Sequence, residues 1–221
     1  MNARSPALRQ QLIDTACQMA QSGLNRGTAG NLSVRAREND APGFLITPTG
    51  MRYESLTPED VVFMHLDGSF EGPRKPSSEW RFHRDIYAAR PQVEAILHAH
   101  SPFATTLACL RRDIPAFHYM IARFGGSTLR CADYATFGTQ ALSDATLIAL
   151  ENRSACLLGN HGMIVLGQNL PQALAHGIEL EELCEQYWRA CQLGEPFILD
   201  EAEMAIVIEK FSTYGQQDPR R

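Results

Sequence analysis

The sequence predicts a three-layer α/β fold in which a mainly antiparallel central β-sheet is flanked by α-helices. Segments of strand period stand nearly consecutively towards the N-terminal side and only later mix with long helical stretches, whereas a doubly wound sheet would alternate the two throughout. The 221 residues are 44% hydrophobic, enough for one substantial core. No repeat or low-complexity linker divides them, so one domain is expected over residues 1–215, followed by a polar tail at 216–221.

The first element is an amphipathic helix: Leu8, Leu12, Ala16 and Met19 recur at helical spacing after Ser5-Pro6. There a serine can cap and a proline can open the first turn. The period then changes to two, with Leu32, Val34 and Ala36 alternating with polar residues across Asn31 to Arg37, a strand. Phe44 to Ile46 is a short apolar run bounded by Gly43 and Pro48 and reads as the next strand. Further strands are expected at Val61 to Leu66 ahead of Asp67-Gly68, Val93 to Leu97, Ala155 to Leu158 and Met163 to Leu166. Helices are expected at Ser78 to Ala89, Pro102 to Leu110, Gln140 to Asn152, Pro171 to Leu193 and Glu201 to Phe211.

The net charge of -5 gives no general attraction for nucleic acid or an anionic membrane, so a phosphorylated substrate would need a locally built site. The opening residues lack a secretory signal and no run reaches the roughly 18 apolar residues of a spanning helix. The expected setting is soluble and cytoplasmic. Six scattered cysteines (Cys17, Cys109, Cys131, Cys156, Cys184 and Cys191) form no CxxC pair, and most are expected to be buried, reduced thiols.

His98-Ala99-His100 follows a predicted strand, and residues two apart on a strand face the same way, so both imidazoles can grip one ion. His161, in the turn Gly159-Asn160-His161-Gly162 between two apolar strands, is the candidate for a third ligand. Alone, the histidine pair reads equally well as an ordinary strand feature and the turn histidine more readily as a solvated one; together they favour a metal site. His65 precedes a turn, His83 lies in a predicted helix with aromatic neighbours, and His118 and His176 have no partner at ligand spacing; none of the four is assigned to it.

Three short segments, Gly27 to Asn31, Thr47 to Gly50 and Pro76 to Glu79, carry the glycines and hydroxyls that suit a phosphate dianion. Taken singly, each reads as a turn, and Ser77 or Ser78 as a helix cap. Glu79 similarly reads as a first-turn acid or, beside a metal-polarised carbonyl, as a base for a carbon-bound proton.

The ordered motifs GLNRGTAGNLSVR, GFLITPTG, KPSSEWRFH, HAH, IPAFHYMIA, CADYATFGT, GNHG and EKFSTYG resemble the class II aldolase/adducin family over nearly the whole chain. The resemblance implies that His98, His100 and His161 bind Zn2+, with Glu79 as an additional ligand that can swing away to become the proton-transfer base. It further implies that Gly30, Asn31, Thr49, Gly50, Ser77 and Ser78 hold a phosphate. Tyr119 matches a tyrosine that protonates the aldehyde side of the cleaved bond, while Phe137 and Tyr214 match residues shaping the aldehyde pocket. In the family these can arrive from a neighbouring subunit of a homotetramer; without the resemblance, Tyr119 and Phe137 read as core aromatics. Ala99 between the paired histidines and Asn160 before His161 are modest departures that remove neither ligand nor base.

The implied activity is zinc-dependent, reversible cleavage of a ketose 1-phosphate such as L-fuculose 1-phosphate to dihydroxyacetone phosphate and a short aldehyde such as L-lactaldehyde. Related alternatives are an aldolase for 5-deoxyribulose or 5-methylthioribulose 1-phosphate and a pentulose-phosphate 4-epimerase, whose members carry aspartate at the position of Glu79. Adducin-type modules keep the fold without catalysis and lack the metal ligands, all of which are present here.

Overall fold

A computed structural model describes residues 1–211; Tyr214 and the polar tail at 216–221 lie outside the described residues. Eight strands form one sheet: β1 (Asn31–Glu38), β2 (Ala41–Ile46), β3 (Val62–His65), β4 (Phe70–Glu71), β5 (Ala95–Ala99), β6 (Cys131–Ala132), β7 (Ala155–Leu158) and β8 (Gly162–Gly167). Their order is β4-β3-β2-β1-β5-β8-β7-β6. Every pairing is antiparallel except β6 with β7, which is parallel.

Helices cover both faces, which makes the three layers. One apolar core, with Leu32, Val34, Leu45, Leu97 and Val165 from the sheet, lies under α1 (Pro6–Gln21), α3 (Pro102–Ala108), α5 (Leu170–Leu193) and α6 (Glu201–Phe211). The other, with Phe44, Ile46, Met64, Ile96 and Ile164, lies under α2 (Trp80–Ala89) and α4 (Gln140–Ala149). Leu97 and Ile96 feed opposite cores because alternate residues of a strand face opposite ways. Ser5 caps α1 by accepting from the Leu8 N–H, with Pro6 at the first helical position, as its sequence predicts.

Several boundaries move. Strand β5 runs to Ala99 rather than Leu97 because its ladders continue, His98 opposite Asn31 of β1 and Ala99 opposite Met163 of β8. His98 therefore lies within the sheet rather than beyond its end. Helix α2 begins at Trp80 rather than Ser78, since Ser77 and Ser78 belong to a turn closed by the Trp80 N–H on the Ser77 carbonyl. Strands β4 and β6, two residues each, are too short to show a period in sequence. The expectation that most cysteines are buried is wrong: Cys156 and Cys184 are buried, Cys17 and Cys131 half-buried, Cys109 and Cys191 exposed, the last two lying at or near helix C-termini. No described helix is long and apolar enough to cross a membrane.

Candidate metal centre and substrate cleft

The ladder between β1 and β5 places Asn31 and His98 side by side on the face covered by α2, with Glu79 at the N-terminal end of that helix. His100 follows two residues after His98 and keeps the same side. The hairpin between β7 and β8 delivers His161, and it sits close because Gly162 has no side chain: a Cβ there would come 2.4 Å from the Ala99 carbonyl oxygen. Ligand atoms of Glu79, His98, His100 and His161 consequently lie within 4.8 Å of one another.

The geometry fits a cation. His98 Nε2 lies 3.0 Å from His100 Nε2 and 3.2 Å from Glu79 Oε2, and His161 Nε2 lies 3.1 Å from Glu79 Oε1. The separation of the two imidazole nitrogens and that of His161 from Oε1 are close to the edge of about 3.3 Å expected for tetrahedral ligands with bonds near 2 Å. His98 Nδ1 is 2.9 Å from the Met163 carbonyl, which only accepts, so Nδ1 carries the hydrogen and the Nε2 lone pair faces the cluster. Glu79 Oε1 is buried and, although within ion-pair range of His161, is not aligned for a hydrogen bond. An orphaned buried carboxylate oxygen is expensive unless something charged is meant to meet it. Burial pushes the Glu79 carboxyl up, but His98 and His161 outweigh that and hold it well below the usual carboxylate range. Burial, with His98 and His161 alongside, pulls the His100 ring down to about 4, so it is neutral and ligand-competent at pH 7.

A cleft of about 370 Å³ opens over this cluster, lined by Thr28, Ala29, Thr49, Gly50, Ser78, Glu79, His100, Tyr134, Ala135, Phe137, Asn160 and His161. Its hydroxyl-rich wall is built by short backbone ties: the Thr49 N–H donates to the Lys75 carbonyl and the Ser77 N–H to the Thr47 carbonyl, which draws two of the predicted loops together. The Gly27 to Asn31 loop is held by the Gly30 N–H donating to Asn25 Oδ1 and by the Tyr53 hydroxyl on the Gly30 carbonyl. Gly30 is required there, because a Cβ would come 2.7 Å from the His98 carbonyl oxygen.

Of the expected substrate residues, Thr49, Gly50, Ser78 and Phe137 line the cleft. Gly30 and Asn31 lie behind its wall, with Thr28 and Ala29 of the same loop in front; Ser77 is buried and its hydroxyl accepts from the Glu79 N–H. Tyr119 does not line its own chain's cleft: it is half-exposed on a 3-10 turn and stacks on Phe211 of α6. Neither Tyr119 nor Phe137 is a core aromatic. Tyr134, Ala135 and Asn160, which stand in the CADYATFGT and GNHG motifs, line the cleft in addition to the expected residues.

The chain matches the profile of the Class II Aldolase and Adducin N-terminal domain over residues 10–188. It belongs to the class II aldolase and adducin family. This class II aldolase is 57% identical over 209 residues to a Rhodospirillum rubrum protein named 5-methylthioribulose-1-phosphate/5-deoxyribulose-1-phosphate aldolase, covering 95% of this chain and 93% of that one. It is 47% identical over 209 residues to the L-fuculose phosphate aldolase of Escherichia coli K12, covering 94% and 95%. A solved L-fuculose 1-phosphate aldolase superposes with a TM-score of 0.89 at 41% identity, covering 94% of this chain and 97% of that one. Class II aldolases use a divalent metal, and the Glu79, His98, His100 and His161 cluster is consistent with one.

Proposed function

We propose that this aldolase reversibly cleaves a ketose 1-phosphate to dihydroxyacetone phosphate and a short aldehyde, at a zinc ion held by His98, His100 and His161 with Glu79 completing the set. The observation that carries this reading is the convergence of three imidazoles and one orphaned carboxylate oxygen at the floor of a cleft walled by hydroxyls. His98, His100 and His161 would hold the zinc with Glu79 as a displaceable fourth ligand, and the bound ion would supply Lewis-acid polarisation of the ketose carbonyl once Glu79 swings away.

The protein's own groups supply the remaining parts. Thr49, Gly50 and Ser78, with the loop of Gly30 and Asn31 and buried Ser77 behind them, hold the phosphate and so fix the sugar's end. In cleavage the C3–C4 bond breaks, the C4 hydroxyl proton leaves to Tyr119, and the electron pair remains with C3. Glu79 then delivers a proton to C3, and in synthesis it removes that proton again. Phe137 and Tyr214 enclose the aldehyde. Tyr119 stands outside its own cleft, so this reading has Tyr119 and Tyr214 supplied by neighbouring copies in a homotetramer, and residues 1–215 acting as one catalytic domain.

On the sugar, one reading is L-fuculose 1-phosphate, giving L-lactaldehyde. The relative at 57% identity favours a second, 5-deoxyribulose or 5-methylthioribulose 1-phosphate, whose aldehyde halves are less polar. Excluding or admitting one small apolar group is worth only about 1–3 kcal/mol, so the decision belongs to assay. The three ketose 1-phosphates should be compared by kcat/KM with a coupled readout for dihydroxyacetone phosphate. Release from at least one is expected, and release from none would overturn the proposal. Sedimentation showing a monomer at assay concentration would remove the shared-tyrosine arrangement.

A further inference from the structure

Behind Glu79 runs a line of buried polar side chains to which the proposed chemistry gives no part in proton transfer. Asn31 Nδ2 lies 3.0 Å from Glu79 Oε2, and Asn31 Oδ1 lies 2.5 Å from His83 Nε2. His83 Nδ1 is 2.7 Å from Ser33 Oγ, which is 2.9 Å from the Tyr87 hydroxyl. Asn31 and Ser33 are two apart on β1 and turn the same face to α2; His83 and Tyr87 are one turn apart on that helix and face back. None of the four is more than 2% exposed, so water cannot stand in for a lost partner.

The donors in this line can be assigned one after another. An ionised carboxylate only accepts, so Asn31 presents its amide nitrogen to Glu79 and its oxygen to His83. That oxygen also only accepts, so His83 Nε2 carries the hydrogen. Burial, with His98 nearby, pulls the His83 ring down to about 3, so it is neutral and its Nδ1 accepts from Ser33. Ser33 in turn accepts from Tyr87. Each hydrogen then points along the line towards Glu79 Oε2.

We propose that His83 is a positioning residue for the aldolase reaction: acting through Asn31, it commits Glu79 Oε2 as an acceptor and leaves Oε1 as the oxygen that meets the cation or carries the proton. The inference rests on the reading of Glu79 given above. A purely structural polar cluster would fix the same hydrogens, but breaking it would cost stability without weakening zinc binding or kcat.

The test begins with the zinc-loaded protein, its histidines labelled with 15N. Long-range correlation spectra at pH 7 are expected to show His83 neutral and protonated at Nε2; an Nδ1-protonated ring or an imidazolium overturns the proposal. His83→Phe keeps a buried ring but no donor, whereas His83→Gln can still offer an N–H to Asn31. The Phe variant is expected to lose about 10–100-fold in zinc affinity, read by competition with a chromogenic chelator, and a similar factor in kcat with KM nearly unchanged. The Gln variant should recover most of both. Equal losses in the two variants, or none in either, would sink the proposal. Should His83→Phe not fold, Ser33→Ala removes the donor to Nδ1; the expected result is a mixture of ring tautomers with weakened zinc binding, and an unchanged single tautomer with unchanged affinity counts against the line. If the unaltered enzyme cleaves no ketose 1-phosphate, the functional reading fails, while the ring tautomer and the zinc affinity still judge the relay.

Discussion

Glu79 is the residue on which the chemistry turns, and its two oxygens are in different hands. Oε2 accepts from Asn31, while Oε1 has no hydrogen bond among the described residues. Glu79→Gln keeps shape and volume but removes the group that exchanges a proton with C3. Cleavage is expected to fall by about 10²–10⁴-fold, the usual contribution of a positioned acid or base. Metal content by atomic emission should stay near one ion per chain, since three imidazoles remain. Near-normal turnover in this variant would remove Glu79 from the proton path.

At the level of helices, two carboxylates hold neighbouring elements in place, and each makes a separate prediction. Glu181 on α5 accepts from the Ser101 hydroxyl and from the Phe103 and Ala104 N–H groups, so one helix caps the start of another. Glu181→Ala leaves those buried donors unmet. It should destabilise the fold by about 1–3 kcal/mol in urea denaturation, the usual result of orphaning a buried polar group. Asp85 on α2 accepts from the Ser143 hydroxyl and the Gln140 amide of α4 and pairs with Arg84. Burial pushes the Asp85 carboxyl up, but Arg84, Ser143 and Gln140 outweigh it and hold it below the ordinary value. A carboxyl lowered in the folded state contributes stability above its unfolded pKa, and that contribution is lost as pH falls through the folded pKa. Asp85→Asn is therefore expected to flatten the decline in stability below about pH 4, with the difference from the unaltered protein largest near neutrality. Denaturation curves at several pH values check this, and parallel curves would refute it.

For the molecule as a whole, the metal should couple the two halves of the sheet. His98 and His100 come from β5 and the residue after it, His161 from the hairpin between β7 and β8, and Glu79 from the start of α2. A ligand that binds only the folded arrangement stabilises it, by about 4 kcal/mol at a thousandfold excess over Kd. Chelation is expected to abolish cleavage and lower the melting temperature, with added zinc restoring both. A melting temperature unchanged by chelation, in protein shown to hold zinc beforehand, would mean that the ion does not bridge these elements.

Much of this was legible in the chain. The period of two across Asn31 to Arg37, the Ser5-Pro6 helix start and the long apolar-periodic stretch before Leu193 specify their elements locally, because each signal lies within a few turns of backbone. The spacing of His98 and His100 likewise announces a shared face. What local pattern could not convey is everything that depends on register. The pairing of Asn31 with His98 takes Asn31 away from the cleft and turns it to Glu79. The same ladder makes His83, on its own an unassigned helical histidine, the middle of a buried polar line. Hydrogen-bond partners far apart in sequence leave no periodic trace. The residue types and their local conformations were therefore written in the sequence, whereas the commitments of each polar atom were decided only when sheet and helix packed face to face.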